Sequence, residues 1–386
     1  MRAEVSVVGG GPAGLLAARR LLDMGFEATV FEEDEEVGRP ERCAGLFSLE
    51  GLKMLRIPLS GKYLQNKITG AAFYSPGGEK LSLNVGKPVA IVARREKFDK
   101  MLAEKIEREG GRIIYGRHVK SVEKNGDGFR LRIREGGEVE SKYVIDAEGR
   151  SALLTKKLSG KHTSKRHWIP IIQITVRNHG MDKNMVYLYF KDYLPDFFAY
   201  LVPIDEEFGK IGVAAKTLLK KRMRKFLSEN FPEVRVVGYS AHAIYTGMPL
   251  NPFTHRNFLT LGDSAGHVKA TTGGGVIMGG LIALESAEAL ARKISGEDPE
   301  ENLGRVESLL NELRRIAHIR QLISHIPPRI YDKLFPALRN SGAMEILARR
   351  GEMDLQATGL IKTLSEPRIV PEALKTFLIF VKNLLR

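Results

Sequence analysis

The chain begins with a buried-strand pattern that runs directly into a glycine-rich turn and a helix. Residues 4–32 read EVSVVGGGPAGLLAARRLLDMGFEATVFE, and Gly9, Gly11 and Gly14 give the spacing G-x-G-x-x-G. The first glycine permits the turn, the second lets backbone approach a pyrophosphate, and the third lets the helix pack on the strand. The N–H groups at the start of the helix then face the phosphates. This stretch predicts a βαβ dinucleotide-binding unit.

The second strand of this unit ends at an acidic residue. A carboxylate at Glu32 can accept hydrogen bonds from an adenosine ribose 2′-OH. The strand, the helix and the acid together favour dinucleotide binding over an ordinary glycine-rich turn. The N-terminal position and the wording G-G-G-P-A-G resemble FAD-binding proteins of the glutathione reductase type. That resemblance implies FAD rather than NAD.

A second glycine cluster lies two-thirds of the way along the chain, in GDSAGHVKATTGGG, residues 262–275. Asp263 directly follows the strand pattern NFLTL and can accept a hydrogen bond from a ribityl hydroxyl. Three consecutive glycines, Gly273–Gly275, let a flat ring lie against bare backbone. The helix that begins there directs its positive end towards negative charge on a reduced flavin. The alternative for Asp263 is a turn or helix-cap residue.

Further segments repeat strand and helix patterns, so the cofactor domain is predicted to be discontinuous. Phe98, Leu102 and Ile106 form an apolar helix stripe. Between residues 168 and 215 four strand patterns predict an antiparallel sheet, with a supporting hairpin in AAFYSPGGEKLSL. We expect an α/β fold (α+β overall), with an FAD-binding Rossmann domain of the glutathione-reductase and hydroxylase type. The expected segments are 1–60, 88–160 and 250–295 for FAD, 61–87 and 161–249 for the substrate sheet, and 296–386 for C-terminal helices.

Composition limits the classes of function that the chain can have. One cysteine among 386 residues excludes an internal disulfide and a thiolate zinc cluster, so redox chemistry requires a bound cofactor, and no metal site is expected. The net charge of +14 is spread along the chain, so we do not expect nucleic-acid binding. No stretch is long and apolar enough to span a bilayer. Because the first strand begins almost at Met1, we expect no signal peptide and a cytoplasmic location.

Three motifs resemble the geranylgeranyl reductase family. GDSAGHVKATTGGGV is similar to that family's G-D-A-A-G-x-x-x-P-x-x-G-G-G-I, with Ala270 in place of Pro. PDFFAYLVP resembles P-x-x-Y-x-W-x-F-P, and RCAGLFS resembles a segment with a cysteine beside the flavin. The resemblance covers residues 1–290. It implies FAD-dependent reduction of C=C bonds in geranylgeranyl chains of archaeal-type diether phospholipids.

The resemblance also implies roles for individual residues. Phe198, Tyr200 and Val202 would line the substrate, although a plain core strand would show the same pattern. Cys43 would contact the flavin and serve as a proton or redox partner for the substrate; the alternative is a small buried apolar side chain. The cofactor contacts that the resemblance and the glycine motifs predict are Gly9, Gly11, Ala13, Gly14, Glu32, Cys43, Ala44, Arg95, Val119, Asp263, Gly274, Gly275 and Val276.

Other functions remain open from the sequence. A flavin monooxygenase or halogenase has the same fold, but Glu148-Gly149 stands where hydroxylases have Asp-Gly, and the W-x-W-x-I-P stretch of halogenases is matched without either Trp. An electron-transfer or lipid-binding flavoprotein without turnover is the second alternative. The chain has no second G-x-G-x-x-G, so the electron donor is NAD(P)H bound transiently or a ferredoxin-like protein.

The end of the chain reads ALKTFLIFVKNLLR, residues 373–386. Its apolar residues line one helical face and Lys375, Lys382 and Arg386 the other. This pattern predicts a helix that docks on the protein or lies on the inner face of the cell membrane. The expected partners are therefore an isoprenoid phospholipid, an electron donor and a membrane surface.

Overall fold

The structure is a computed structural model that describes residues 1–350 and 353–364. The strands are β1 Arg2–Val8, β2 Ala28–Phe31, β3 Leu46–Ser48, β4 Leu64–Ile68, β5 Gly70–Tyr74, β6 Lys80–Asn84, β7 Ala90–Ala93, β8 Arg112–Ile114, β9 Val119–Asn125, β10 Gly128–Ile133, β11 Glu138–Asp146, β12 Trp168–Arg177, β13 Met185–Tyr189, β14 Ala199–Pro203, β15 Phe208–Ala214, β16 Arg235–Tyr245, β17 Phe253–His255 and β18 Phe258–Thr260. The helices are α1 Pro12–Asp23, α2 Leu49–Met54, α3 Arg95–Arg108, α4 Leu153–Ser159, α5 Leu219–Asn230, α6 Val276–Ser295, α7 Glu300–Ser324, α8 Tyr331–Asn340, α9 Ala343–Arg350 and α10 Gln356–Leu364.

The first sheet has the order β17-β18-β11-β1-β2-β8, with β10 and β9 continuing from β11. β1 runs parallel to both β2 and β11, and β11 runs parallel to β18. The side chains of Val5, Val7 and Val8 are buried, as a parallel strand covered on both faces requires. The carboxyl ends of β1, β2, β11 and β18 therefore meet at one edge, where open α/β sheets bind ligands.

The second sheet has the order β16-β12-β15-β14-β13-β5-β6. The four strands predicted between residues 168 and 215 are β12 to β15, and the predicted hairpin is β5–β6; both predictions are confirmed. β5 joins the sheet by pairing in parallel with β13. One face is closed by α5, whose Met223 and Phe226 are buried in the same cluster as Ile174 and Leu201. The opposite face is turned towards the Cys43 segment.

A third, small sheet has the order β3-β7-β4. β4 belongs to the segment 61–87 that the sequence assigned to the substrate sheet, yet it pairs with β7. Thr69 separates β4 from β5, and the chain passes from one sheet to the other there. The division into cofactor, substrate and helical parts otherwise stays a prediction.

Helices α7 to α10 form the C-terminal part of the described chain. The helical run is interrupted at Pro327-Pro328, since α7 ends at Ser324 and a 3₁₀ turn follows at Pro328–Ile330. Glu312 of α7 accepts hydrogen bonds from the first turn of α10. The amphipathic segment 373–386 lies outside the described residues. Within the described residues, no helix combines the length and apolar character needed to cross a membrane.

Candidate active site

In the glycine turn after β1, Gly9 and Gly14 are each required by a close backbone contact, and Gly11 is not. Gly9 has φ +105°, and a Cβ there would lie 2.3 Å from the carbonyl oxygen of Ala147. A Cβ on Gly14 would lie 2.1 Å from the carbonyl oxygen of Gly9, so the close approach of α1 to the turn requires glycine. Gly11 is different: within the described part of the chain, a Cβ there would meet nothing within 4 Å. The protein therefore leaves open space at the one glycine that is expected to face a pyrophosphate.

Glu32 closes this turn from the end of β2. Its two carboxylate oxygens accept the backbone N–H groups of Gly10, at 2.5 Å, and of Asp34, at 2.9 Å. The side chain is only 9% exposed, and burial raises its pKa although both hydrogen bonds oppose that shift. Glu32 thus shapes the glycine turn in addition to its predicted contact with ribose. This second role depends on tertiary contacts and was missed from sequence.

Asp263 follows β18 and faces the start of α6. A Cβ on Gly275 would lie 3.1 Å from Asp263 Oδ1, and Gly275 caps α6 without a side-chain hydrogen bond. Part of the Asp263 side chain is exposed to solvent, yet it is closely surrounded by protein atoms, and this burial raises its pKa. The positive charge of Arg95 opposes that rise in pKa. A carboxylate, a bare backbone loop and a helix N-terminus thus meet at one place, and their contact with a flavin stays a prediction.

Arg95 is the first residue of α3, and its charge is balanced from within the helix. Its guanidinium donates to both carboxylate oxygens of Asp99, at 3.1 and 2.8 Å. Burial opposes the charged form, but Asp99 and then Cys43 raise the pKa of Arg95 further above its ordinary value. A cavity of about 200 Å³ lies between Arg95 and the glycine turn, with Glu32 and Arg42 also in its lining.

Cys43 is half-buried and lies against the second sheet. Its Sγ accepts the backbone N–H of Gly45 at 3.3 Å. Its carbonyl oxygen accepts hydrogen bonds from Gln173 Nε2 and from Lys210 Nζ, both at 3.3 Å. Lys210 is 4% exposed, and its ammonium is paired with Glu41 at 2.7 Å. The second sheet therefore fixes the Cys43 backbone through two buried side chains.

Tyr200 joins the same network across the sheet. Its hydroxyl donates to Gln173 Oε1 at 2.7 Å. Gly212 lies between these two residues in the strand register, and a Cβ there would lie 2.2 Å from the Tyr200 ring. Glycine is needed because the aromatic ring lies flat on the backbone of β15. Burial, followed by the effect of Cys43, raises the pKa of Tyr200, so its proton stays on the phenol at neutral pH.

The other predicted substrate residues occupy two environments. Phe198 is half-buried and stacks on Phe197, with ring centroids 4.3 Å apart. Val202 is 4% exposed and packs with Val92 and Ile68 of the third sheet. The structure therefore gives Val202 a packing role, and its contact with a substrate stays a prediction.

His242 was missed from sequence because a lone histidine in a strand carries no motif. It lies on the same face of the second sheet as Tyr200, opposite Ile171 of β12. Its Nδ1 is buried and has no hydrogen-bond partner among the residues that the structure describes. Burial, followed by the charges of Arg42 and Arg95, lowers the pKa of His242 to about 4. His242 is therefore a neutral imidazole at pH 7, with an unsatisfied nitrogen inside the site.

The remaining predicted contacts lie around these groups. Ala13 approaches Gly262, where a Cβ would lie 2.9 Å from the Ala13 methyl group. Val276 is the first residue of α6, Ala44 packs against the third sheet, and Val119 is buried at the start of β9. Glu148, where hydroxylases have Asp, accepts the Leu154 N–H at the start of α4. Burial, followed by the neighbouring Asp146, raises the pKa of Glu148 to about 7.

These residues fit FAD. The space at Gly11 suits a diphosphate, because the uncapped first turn of α1 supplies free N–H groups. The bare loop at Gly273–Gly275 and the Asp263 carboxylate suit a flat ring with a hydroxylated chain. A larger cavity of about 650 Å³ lies elsewhere, beside Ala289 and Leu303, and contains none of the predicted site residues.

Comparison with known proteins agrees with this geometry. The family described as FAD binding domain matches residues 2–308. The chain is 28% identical over 324 residues to the digeranylgeranylglycerophospholipid reductase of Methanococcus vannielii, covering 80% of this chain and 82% of that protein. It is 26% identical over 378 residues to an uncharacterised protein of Methanocaldococcus jannaschii, covering 94% of each.

Solved structures share the fold over almost the whole chain. A geranylgeranyl bacteriochlorophyll reductase-like protein from Thermoplasma acidophilum has a TM-score of 0.81 at 21% identity and covers 97% of this chain and 99% of its own. The flavin-dependent brominase Bmp2 has a TM-score of 0.71 at 17% identity and covers 94% and 98%. The predicted fold class and the resemblance to geranylgeranyl reductases are confirmed. The chain belongs to the FAD binding domain family, and FAD is the cofactor of this FAD-dependent oxidoreductase.

Proposed function

We propose that the protein reduces C=C bonds in the geranylgeranyl chains of isoprenoid phospholipids. Curated relatives from several methanogens are named digeranylgeranylglycerophospholipid reductase, and they match 77–84% of this chain at 24–28% identity. The chain also spans more than two thirds of each of those relatives. Their names support the reaction class, and the half-buried apolar side chains on one face of the second sheet support a long apolar substrate.

The observation that carries the proposal is the difference between the two faces of the second sheet. The face under α5 is densely packed and buried. The opposite face, which meets the Cys43 segment, buries Ile169, Ile171 and Val202 but leaves five other large apolar side chains only half-buried. These side chains are Phe73, Leu188, Phe198, Tyr200 and Ile244. An isoprenoid chain has almost no polar groups, so an incompletely covered apolar wall beside the flavin site suits it.

The chemistry divides between cofactor and protein. When bound and reduced, FAD supplies a hydride to one alkene carbon, and a proton completes the second C–H bond. Because the Tyr200 proton is held by Gln173, we assign proton delivery to the Cys43 thiol, which water then reprotonates. Lys210 and Gln173 hold the Cys43 backbone, and the Gly45 N–H donates to Sγ. The electrons come from NAD(P)H or a ferredoxin-like donor.

The test uses the FAD-loaded protein under anaerobic conditions. The flavin is reduced with dithionite, a geranylgeranyl phospholipid is added, and the lipid is analysed by mass spectrometry. We expect gains of two mass units per reduced double bond, together with reoxidation of the flavin. Cys43→Ala should keep FAD and lose at least about tenfold in turnover, the usual contribution of a positioned proton donor being 10²–10⁴.

A matched pair of variants checks the apolar wall. Phe198→Leu removes an aromatic ring from the half-buried apolar face and should lower turnover of the long lipid. Phe231→Leu removes a similar ring on the opposite face, in the cluster beneath α5, and should change stability only. A yellow protein that leaves the lipid mass unchanged would overturn the proposal. Consumption of O₂ coupled to a new product would then indicate a monooxygenase or halogenase, and its absence an electron carrier.

A further inference from the structure

The loop that carries Gly273–Gly275 is a closed turn built around Lys269. The Lys269 N–H donates to the carbonyl of Gly274 at 3.0 Å, and the Gly273 N–H donates to the carbonyl of Lys269 at 2.8 Å. The Lys269 side chain lies against this turn, because a Cβ on Gly274 would be 3.0 Å from Lys269 Cε. The position of the bare glycine backbone therefore depends on where the Lys269 side chain is held.

The Lys269 ammonium is held by a segment that follows it by more than eighty residues. Its Nζ donates to Asp354 Oδ1 at 2.6 Å and to the carbonyl of Met353 at 3.1 Å. Both charged side chains are only 5% exposed. The second carboxylate oxygen of Asp354 accepts the hydroxyl of Ser48. This ion pair is buried and has further hydrogen bonds, which is the arrangement that offsets the loss of hydration.

Residues 353–358, the C-terminal strap, are fixed on both sides. On the loop side, the Thr271 hydroxyl donates to Gln356 Oε1. On the other side, Glu312 of α7 accepts the Ala357 N–H at 2.7 Å and the Thr358 hydroxyl at 2.7 Å. The strap thus connects a long helix to the loop that receives the flavin ring.

We propose that Asp354 is a positioning residue for FAD, which acts through Lys269 to hold the glycine loop in its binding conformation. The cofactor site then extends beyond residue 308, where the match to the family ends. Removing one partner leaves a buried charge without compensation, so the loop must move to hydrate it. Removing both charges relieves that need. Asp354 also balances a positive charge directly beneath the loop, so the pair sets the field at the ring.

The test is a double-mutant cycle on the full chain. FAD affinity is measured by flavin fluorescence on flavin-free Asp354→Asn, Lys269→Met and the double variant, and the midpoint potential on the loaded proteins. We expect each single variant to lose FAD affinity by about tenfold or more, and the double variant to recover most of that loss. The midpoint potential should rise in Asp354→Asn and fall in Lys269→Met. Opposite shifts of the midpoint potential would be caused by the two opposite charges, because a general loosening of the structure would not reverse sign between the two variants.

Two further variants keep the test decisive. Glu288→Gln breaks the ion pair with Arg20, which joins α6 to α1 away from the glycine loop, and should leave FAD affinity unchanged. Gln356→Ala removes the second link of the strap, is only part-buried, and should weaken FAD binding even if the charge variants do not fold. Wild-type FAD affinity in Asp354→Asn and Gln356→Ala, or additive losses in the double variant, would overturn the proposal. The role proposed for Asp354 depends on FAD binding and is independent of the lipid substrate.

Discussion

Gly11 and Gly14 belong to one motif but should respond in opposite ways to the same substitution. Gly11 has φ −74° and ψ 172°, which alanine adopts without strain, and no atom of residues 1–350 or 353–364 contacts its added Cβ within 4 Å. Gly11→Ala should therefore stabilise the flavin-free protein by about 0.4–1 kcal/mol through the unfolded state. The same methyl group occupies the space of a diphosphate, and a forced contact of that kind costs about 3 kcal/mol. FAD affinity should fall about a hundredfold.

Gly14→Ala should show the reverse order of effects. Its Cβ would lie 2.1 Å from the Gly9 carbonyl oxygen, which is backbone, so α1 must shift by about an ångström to reach ordinary contact. We expect a loss of about 3 kcal/mol in the flavin-free protein, and a Tm lower by about 4 °C for cooperative unfolding of a chain of this length. Thermal unfolding of both flavin-free variants, followed by FAD titration, measures the two effects. Wild-type FAD affinity in Gly11→Ala, or an unchanged Tm in Gly14→Ala, would refute the steric reasoning.

Three other perturbations test the remainder of the site. Gly212→Ala should push the Tyr200 ring off β15 and break its hydrogen bond to Gln173. Lipid turnover should then fall while FAD affinity stays within about twofold. Unchanged turnover would contradict this reasoning. Glu32→Gln should weaken FAD binding by about tenfold or more, because an amide N–H2 then faces a backbone donor of the glycine turn, and equilibrium dialysis measures it. His242 has its pKa lowered in the fold, so its contribution to stability is complete above pH 6.5 and is lost as pH falls towards 4. Denaturant unfolding of His242→Gln should show a shallower loss over that window than the wild type, and parallel curves would exclude the assignment.

The parts of the site that were readable from sequence are those whose chemistry is local. The glycine spacing, the acid after β2 and the strand–Asp–glycine–helix pattern around Asp263 each lie within a few residues of one another. The i,i+4 spacing of Arg95 and Asp99 on α3 would also have revealed their ion pair. Short-range geometry follows from helix and strand periodicity, so a single sequence is enough to predict it.

The network behind Cys43 was not readable, because its members come from distant parts of the chain. Gln173 and Lys210 look like ordinary polar residues in strands, and only the second sheet brings them to the Cys43 carbonyl. Asp354 falls in a region that the sequence assigned simply to helices. β4 lies outside the predicted substrate sheet for the same reason. Its pairing with β7 depends on a segment that is distant in sequence. Tertiary pairing overrides local pattern at these places.

The parallel pairing of β5 with β13 also has a consequence for biosynthesis. Residues 70–84 leave the ribosome as a hairpin whose β5 edge can be covered only after residues 185–189 have been made. During that interval, the hairpin presents unpaired backbone and apolar side chains, the features that invite association between chains. Sequence separations of this size also slow folding. We therefore expect nascent chains of this protein to need protection by a chaperone over that interval, and fragments that end before β13 to aggregate when expressed alone.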